Sequence, residues 1–361
     1  MINSIEIRNF KGIKKMKISG LRKVNLFLGK NNSGKSSILE SIYLISYGFS
    51  EFDSINRKDK MEVLLNRRCE RGLKGGKRDT EILWYNYEKS KPIQFKLGFN
   101  NFHIEIELSD IHEHPLVILN EEKYGYKYWC AIHKRSYVSD GSSSETTSLD
   151  SASSLLKIKK REMSDLLKYM KGITIIDSGL LHRFEEVERR IWEEVFKRRI
   201  DKEIVSLLRD GYGLNAENIT YVPFGDKNVL MVGLPRSSVR LDDLGDGSRM
   251  SFLMTSISLL SERSALLLEE PESHQHPLGL YKTMDLILKS AKKRNNQILI
   301  TTHSLELSKI VSKICSESEI ELSMFFLERD NKGVVSARKL SGEDLENLEK
   351  IGIDVRFLYA F

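Results

Sequence analysis

The stretch Lys23-Val24-Asn25-Leu26-Phe27-Leu28-Gly29-Lys30-Asn31-Asn32-Ser33-Gly34-Lys35-Ser36-Ser37 decides the fold. Its first six residues form a short apolar run of strand length. From Gly29 the chain fits G-x-x-x-x-G-K-[ST] at every required position. Ser37 to Ile45 follows with helical apolar spacing, so the order is strand, glycine loop, helix. Gly29 and Gly34 let the backbone turn its N–H groups toward a phosphate, and the helix start adds partial positive charge there. The residues expected to hold a nucleotide are Asn31, Asn32, Ser33, Gly34, Lys35, Ser36 and Ser37. Lys35 is expected to reach the β- and γ-phosphates, and the Ser36 hydroxyl to ligate Mg²⁺.

Two later runs carry matching chemistry. Ser264-Ala265-Leu266-Leu267-Leu268-Glu269-Glu270-Pro271 reads as a buried central strand that delivers acid to its C-terminal edge, where ligands sit in open α/β sheets. Glu269 is expected to hold the metal and Glu270 to act as general base, the alternative being that Glu270 only helps to hold the metal. Gln297-Ile298-Leu299-Ile300-Thr301-Thr302-His303-Ser304 reads as a second buried strand. A lone histidine is usually a satisfied core residue, but His303 closes this run among hydroxyls, the place of a donor to the γ-phosphate or the attacking water.

Around these runs the chain opens with strands at Ser4–Arg8 and Met16–Ser19. Arg57 to Arg78 holds nine basic residues and ends in glycines, a short helix and a mobile basic loop by this reading. It is a solvated face, with phosphate-backbone contact as the functional rival. Period-two patterning predicts strands at Glu81–Tyr85, Ile93–Phe99, Phe102–Leu108 and Lys127–Ile132. Ser139 to Ser154 is a polar, low-complexity surface loop. His112-Glu113-His114 lacks a third metal ligand at useful spacing. Helices are predicted over Leu155–Met170, Leu181–Leu208, Met250–Leu260, Tyr281–Ala291 and Gly342–Ile351, and strands at Val229–Val232, Val239–Leu241, Ile320–Leu327 and Val334–Leu340.

At 361 residues, with 40% hydrophobic and 30% charged residues, the chain has an ordinary soluble composition and no apolar run of membrane length. Its start lacks a signal-peptide layout, so a cytoplasmic protein is expected. Cys69, Cys130 and Cys315 lie too far apart for a zinc knuckle or a disulfide framework. A net charge of +6 permits nucleic-acid contact without requiring it.

Taken together these motifs resemble the ABC-type ATPases of the RecF, SMC and OLD group. Ile5 to Gly12 resembles that group's opening strand and turn, Gly29–Ser37 its Walker A, and Leu244-Gly245-Asp246-Gly247-Ser248 its signature loop. Leu267 to Pro277 is similar to its Walker B and D-loop, and Thr302-His303-Ser304 to its switch histidine. The Glu269-Glu270-Pro271-Glu272 form points to the ATPase portion of OLD-family proteins. The resemblance implies an α/β fold, an ABC-type P-loop ATPase head with a mixed central sheet, an N-terminal antiparallel β subdomain and a helical insertion. It also implies a single domain over 1–361, with an N-terminal lobe at 1–135, a loop and helical insertion at 136–215, and a C-terminal lobe at 216–361.

The resemblance further implies a homodimer closed by ATP and Mg²⁺, in which Gly245, Asp246, Gly247 and Ser248 of one subunit cap the nucleotide of the other. Asn9, Phe10 and Lys11 would lie near the nucleotide. Three departures stand out. Gly245 replaces a signature serine, no glutamine loop can be assigned (Gln94 lies in a predicted strand), and no TOPRIM nuclease domain follows. The motif set and the Arg57–Arg78 basic stretch lead us to expect a role in DNA maintenance or defence against mobile elements, as a stand-alone ATPase or with a separate nuclease or toxin effector chain, with DNA as a possible ligand, higher oligomers possible and no membrane partner. The alternative is a nucleotide-switched scaffold that restrains a protein effector.

Overall fold

The computed structural model describes residues 1–53, 55, 58–67, 80–100, 103–108, 116–120, 127–131, 137–139, 144–146, 160–225, 227–344 and 347, and all that follows concerns these. The chain opens with β1 (Ser4–Phe10), β2 (Ile13–Ser19), β3 (Val24–Gly29), helix α1 (Lys35–Tyr47) and the short α2 (Lys60–Asn66). Six strands follow: β4 (Ile93–Gly98), β5 (His103–Leu108), β6 (Leu116–Asn120), β7 (Lys127–Ala131), β8 (Tyr137–Ser139) and β9 (Ser144–Thr146). Next come α3 (Lys160–Lys171), β10 (Thr174–Ile176), α4 (Gly179–His182), α5 (Phe184–Lys197) and α6 (Asp201–Tyr212). A hairpin and edge strand, β11 (Asn218–Phe224), β12 (Lys227–Leu234) and β13 (Ser237–Arg240), lead to α7 (Asp246–Leu260). The chain continues through β14 (Ala265–Glu269), α8 (Pro277–Arg294), β15 (Gln297–Thr302), α9 (Leu305–Glu317), β16 (Leu322–Arg329) and β17 (Val334–Leu340).

One mixed sheet runs β10-β14-β15-β3-β16-β17-β2-β1-β4-β5-β6-β7-β8-β9, and β11-β12-β13 form a separate small sheet. The strands from β10 to β16 are parallel, and the N-terminal strands add an antiparallel wing through the parallel β17–β2 pair. β3 and β15 are buried at every residue, as are the apolar residues of β14. Such runs are continuous rather than alternating because both sheet faces are covered. Leu26, Leu266, Leu268 and Ile300 point into a core with α5, α7 and α8. Phe27, Leu267 and Leu299 point into the other core, with α1 and α3. Gln297 ties the wing to this centre: its side chain accepts from the Ile2 N–H at 3.0 Å and donates to the carbonyls of Ile2 and Arg22 at 2.8 Å.

Several expectations need correction. Glu81–Tyr85 is not a strand but two 3₁₀ turns, Thr80–Leu83 and Tyr85–Tyr87. Consecutive Leu83 and Trp84 are both buried, which period-two alternation cannot supply. The helical section expected over Leu181–Leu208 is built of three helices, α4, α5 and α6, the first two meeting at Arg183. It breaks at Arg199, whose φ is +59°, with the Ile200 N–H donating back to Val195 O at 2.9 Å. The helix predicted from Met250 begins at Asp246, so most of the signature stretch is a helix start rather than a loop. Within the polar stretch 139–154, Ser144–Thr146 pairs with β8 as a strand. His112-Glu113-His114, Cys69 and most of the Gly342–Ile351 helix lie outside the described residues. Cys315 is a buried thiol in α9, and burial pushes its pKa up to about 12. Among the described residues no helix is long and apolar enough to cross a membrane.

Candidate active site

The C-terminal ends of β3, β14 and β15 converge on a cleft of about 430 Å³. Its floor is the glycine loop. Gly29 has φ +147°, and a Cβ there would lie 2.5 Å from Leu327 O, so only glycine fits. Gly34 has φ +98° and precedes α1, whose first turn carries no acidic side chain. That helix start is therefore open to an anion. Asn31, Asn32, Gly34, Lys35, Ser36 and Ser37 all line the cleft, while Ser33 is buried beneath the loop.

Lys35 is only 5% exposed and folds back onto its own loop, donating to Gly29 O at 2.8 Å and Lys30 O at 2.7 Å. Burial lowers its pKa to about 8, against the opposing pull of Glu270 and Glu272. It is a desolvated cation whose present acceptors are neutral carbonyls, so an incoming phosphate offers a stronger partner.

Glu269 ends β14 in register with Thr301, and Glu270 leaves the sheet with φ +45°, a left-handed turn unusual for glutamate. That turn aims the two carboxylates in different directions. Glu270 reaches across to the next strand end, where its Oε1 lies 2.8 Å from His303 Nε2. His303 Nδ1 lies 3.4 Å from Lys35 Nζ. With a proton on Nε2 and none on Nδ1 the ring can donate to Glu270 and accept from Lys35. Glu272 locks this strand end in place: it accepts from the Thr302 hydroxyl and, at 3.3 Å, from the His303 N–H. Burial raises the Glu272 pKa.

Glu269 faces the opposite wall, where it meets Arg67. The guanidinium, 6% exposed, also contacts Asp177 through Nε at 2.5 Å and Glu40 through Nη1 at 3.4 Å. The expectation of a solvated basic face fails for this residue, the last described one of its run. Arg67 caps the C-terminal end of α2, its N–H donating to Val63 O. Asp59 caps that helix by accepting from the Glu62 N–H, and Lys60 is itself buried, donating to Ser46 Oγ at 2.9 Å. Asp177 was missed although Thr174-Ile175-Ile176-Asp177 repeats the pattern of apolar run ending in acid that marks Glu269. β10 lies beside β14, pairing Ile176 with Leu268, so both acids stand at neighbouring strand ends.

Lys11 and Gly12 also line the cleft, with Lys11 Nζ 2.8 Å from Glu40 Oε2. Asn9 instead bonds Pro92 O, and Phe10 packs edge-on against Phe95 in the core. Gln94 lies in β4 and donates to Glu107, away from the cleft. Gly245, Asp246, Gly247 and Ser248 do not line the cleft. They start α7 and lean on the stretch after β14. Gly247 O accepts from Tyr212 at 3.0 Å and from Gln275 at 3.1 Å, and a Cβ on Gly247 would lie 2.6 Å from His274 O.

Among the described residues no group of three or more His, Cys, Asp or Glu side chains is arranged to hold a metal by itself. The cleft instead offers the Ser36 hydroxyl and the Glu269 carboxylate beside a phosphate-shaped loop. This hard-oxygen pair suits an ion held jointly by protein and nucleotide phosphates.

Comparisons with known proteins agree with this geometry. A family model described as an AAA ATPase domain matches residues 1–187. A second, whose description joins an AAA domain to a type IV toxin–antitoxin system, matches residues 145–309. An ATP/GTP phosphatase of Helicobacter pylori is 22% identical over 96% of this chain and 97% of its own. The DNA replication and repair protein RecF of Bacteroides fragilis is 22% identical over 99% of this chain and 95% of its own. The solved SMC head bound to the C-winged helix domain of ScpA superposes with a TM-score of 0.58 at 15% identity, covering 95% of this chain and 98% of that one. The fold is that of an ABC-type P-loop ATPase head, and the chain belongs to the AAA ATPase domain family.

Proposed function

We propose that this chain is a Mg²⁺-dependent ATPase whose nucleotide closes a homodimer, acting in DNA maintenance or in defence against mobile elements together with a separate effector chain. The observation that carries this reading is the convergence of Lys35, Ser36, Glu269, Glu270 and His303 on one cleft that omits Gly245–Ser248. In this reading Lys35 and the N–H groups of the loop hold the phosphates. Ser36 and Glu269 hold Mg²⁺, which when bound offsets phosphate charge. Glu270 takes a proton from the attacking water, with His303 orienting its carboxylate. Gly245, Asp246, Gly247 and Ser248 of a second copy complete the cleft.

The RecF relative supports a DNA-linked role, and the Glu269-Glu270-Pro271-Glu272 form supports an OLD-type lineage. ATP hydrolysis measured with and without duplex DNA across a salt series tests the DNA part. Stimulation that fades with rising salt is expected, and indifference to DNA at low salt would remove it. A second reading, a nucleotide-switched scaffold holding a protein effector, draws support from the SMC head having been solved with a ScpA domain bound. An unrelated chain that co-purifies and is released by ATP would favour it.

A further inference from the structure

The proposed chemistry leaves Arg67 unused. Its guanidinium divides three ways, Nε to Asp177, Nη1 to Glu40 and Nη2 to Glu269, so each nitrogen serves a different element. Glu40 is fully buried in α1, and Asp177 and Glu269 stand at adjacent strand ends. Carboxylates packed this closely in a shielded place need a cation among them. Arg67 fills that need together with Lys11, which pairs with Glu40, and it does so at Glu269, which like Asp177 lines the same cleft as Ser36.

We propose that Arg67 is an internal counterion standing in for the divalent metal at Glu269, so that metal entry displaces its Nη2 contact and Arg67 sets the affinity of the site for the ion. This rests on Glu269 being the metal-holding carboxylate. The three-way division makes the exchange local. Arg67 can release Glu269 and keep Asp177 and Glu40, so the wall of the cleft survives loading. α2, anchored at its other end by buried Lys60, keeps the released guanidinium close. Arg67 is thus a positioning residue that competes with the ion, and its removal strengthens metal binding instead of weakening it.

The test is Mn²⁺ binding to the full chain loaded with a non-hydrolysable ATP analogue, read from the electron paramagnetic resonance of free Mn²⁺. Arg67→Gln should bind Mn²⁺ about tenfold tighter than the natural chain, the scale of one charge-assisted contact no longer competing. Arg67→Lys keeps one charge but cannot reach three carboxylates, and should fall between the two. If circular dichroism shows Arg67→Gln unfolded, the lysine variant carries the test alone. Glu269→Gln is the control. If it weakens Mn²⁺ binding while the Arg67 variants bind no tighter than the natural chain, the Arg67 proposal fails and the role of Glu269 stands. If Glu269→Gln leaves Mn²⁺ affinity unchanged, both fail.

Discussion

Among the described residues two helices, α1 and α7, have a glycine as N-cap, and their surroundings differ. α1 starts behind Gly34 with no acid in its first turn, and the same chain surrounds that start with Lys35, Ser36, Glu269, Glu270 and His303. α7 starts behind Gly245, where a Cβ would meet nothing within 4 Å, and its Asp246 is held by Arg249 at 3.0 Å. Tyr212 and Gln275 grip the Gly247 carbonyl and also meet the Ser251 hydroxyl one turn on. One helix start is furnished as a site; the other is tied down by its own chain, with Gly245 and Asp246 exposed and Ser248 buried. In our proposal the second belongs to another subunit's nucleotide.

The sharpest break of this contrast is Lys35→Ala. It removes the buried cation from the furnished end and should abolish measurable nucleotide binding in a fluorescent-analogue titration. Binding that persists within a few-fold of the natural chain would remove Lys35 from the phosphate site. Glu270→Gln should leave that binding intact and slow hydrolysis by at least about tenfold if Glu270 is the base. Unchanged turnover would refute the assignment.

The Lys35 pKa of about 8 gives a further test. Above that pH the empty site holds a neutral amine, and phosphate must draw a proton back onto it. Nucleotide affinity should therefore fall as pH rises past about 8, by up to about tenfold per unit, with roughly one proton taken up per nucleotide. Calorimetry at pH 9 in two buffers of different ionisation enthalpy reads the uptake, and its absence would count against the burial argument.

At the presented end, Gly247→Ala forces a methyl against His274 O. It should reduce cooperative hydrolysis severalfold while leaving the affinity of a single chain for nucleotide unchanged. The smallest effect belongs to Gly245→Ser. The site is open and the residue is an N-cap, so serine should add only a few tenths of a kcal/mol to thermal stability.

How much of this was legible in the sequence follows from range and burial. The glycine loop and the runs ending at Glu269 and Thr302 could be read because fully buried parallel strands leave unbroken apolar stretches, and sheet topology then gathers their ends. Glu272, quoted only as part of a motif, gained its role from a contact with Thr302 thirty residues away. Arg67 was hidden for the same reason. Its partners Glu40 and Asp177 lie 27 and 110 residues distant, and the stretch that follows it, from Arg68 to Arg78, is basic. No local pattern separates a buried arginine from a solvated one in such a run. Asp177 followed a strand of only three residues, too short for periodicity to register.

The central claim is that the furnished cleft and the presented helix start meet only between two chains. Light scattering on Glu270→Gln, with nucleotide occupancy measured in parallel, addresses it directly. With ATP and Mg²⁺ the molar mass should double relative to the nucleotide-free protein and return when either is withdrawn. A mass that stays the same while every chain carries nucleotide would contradict it.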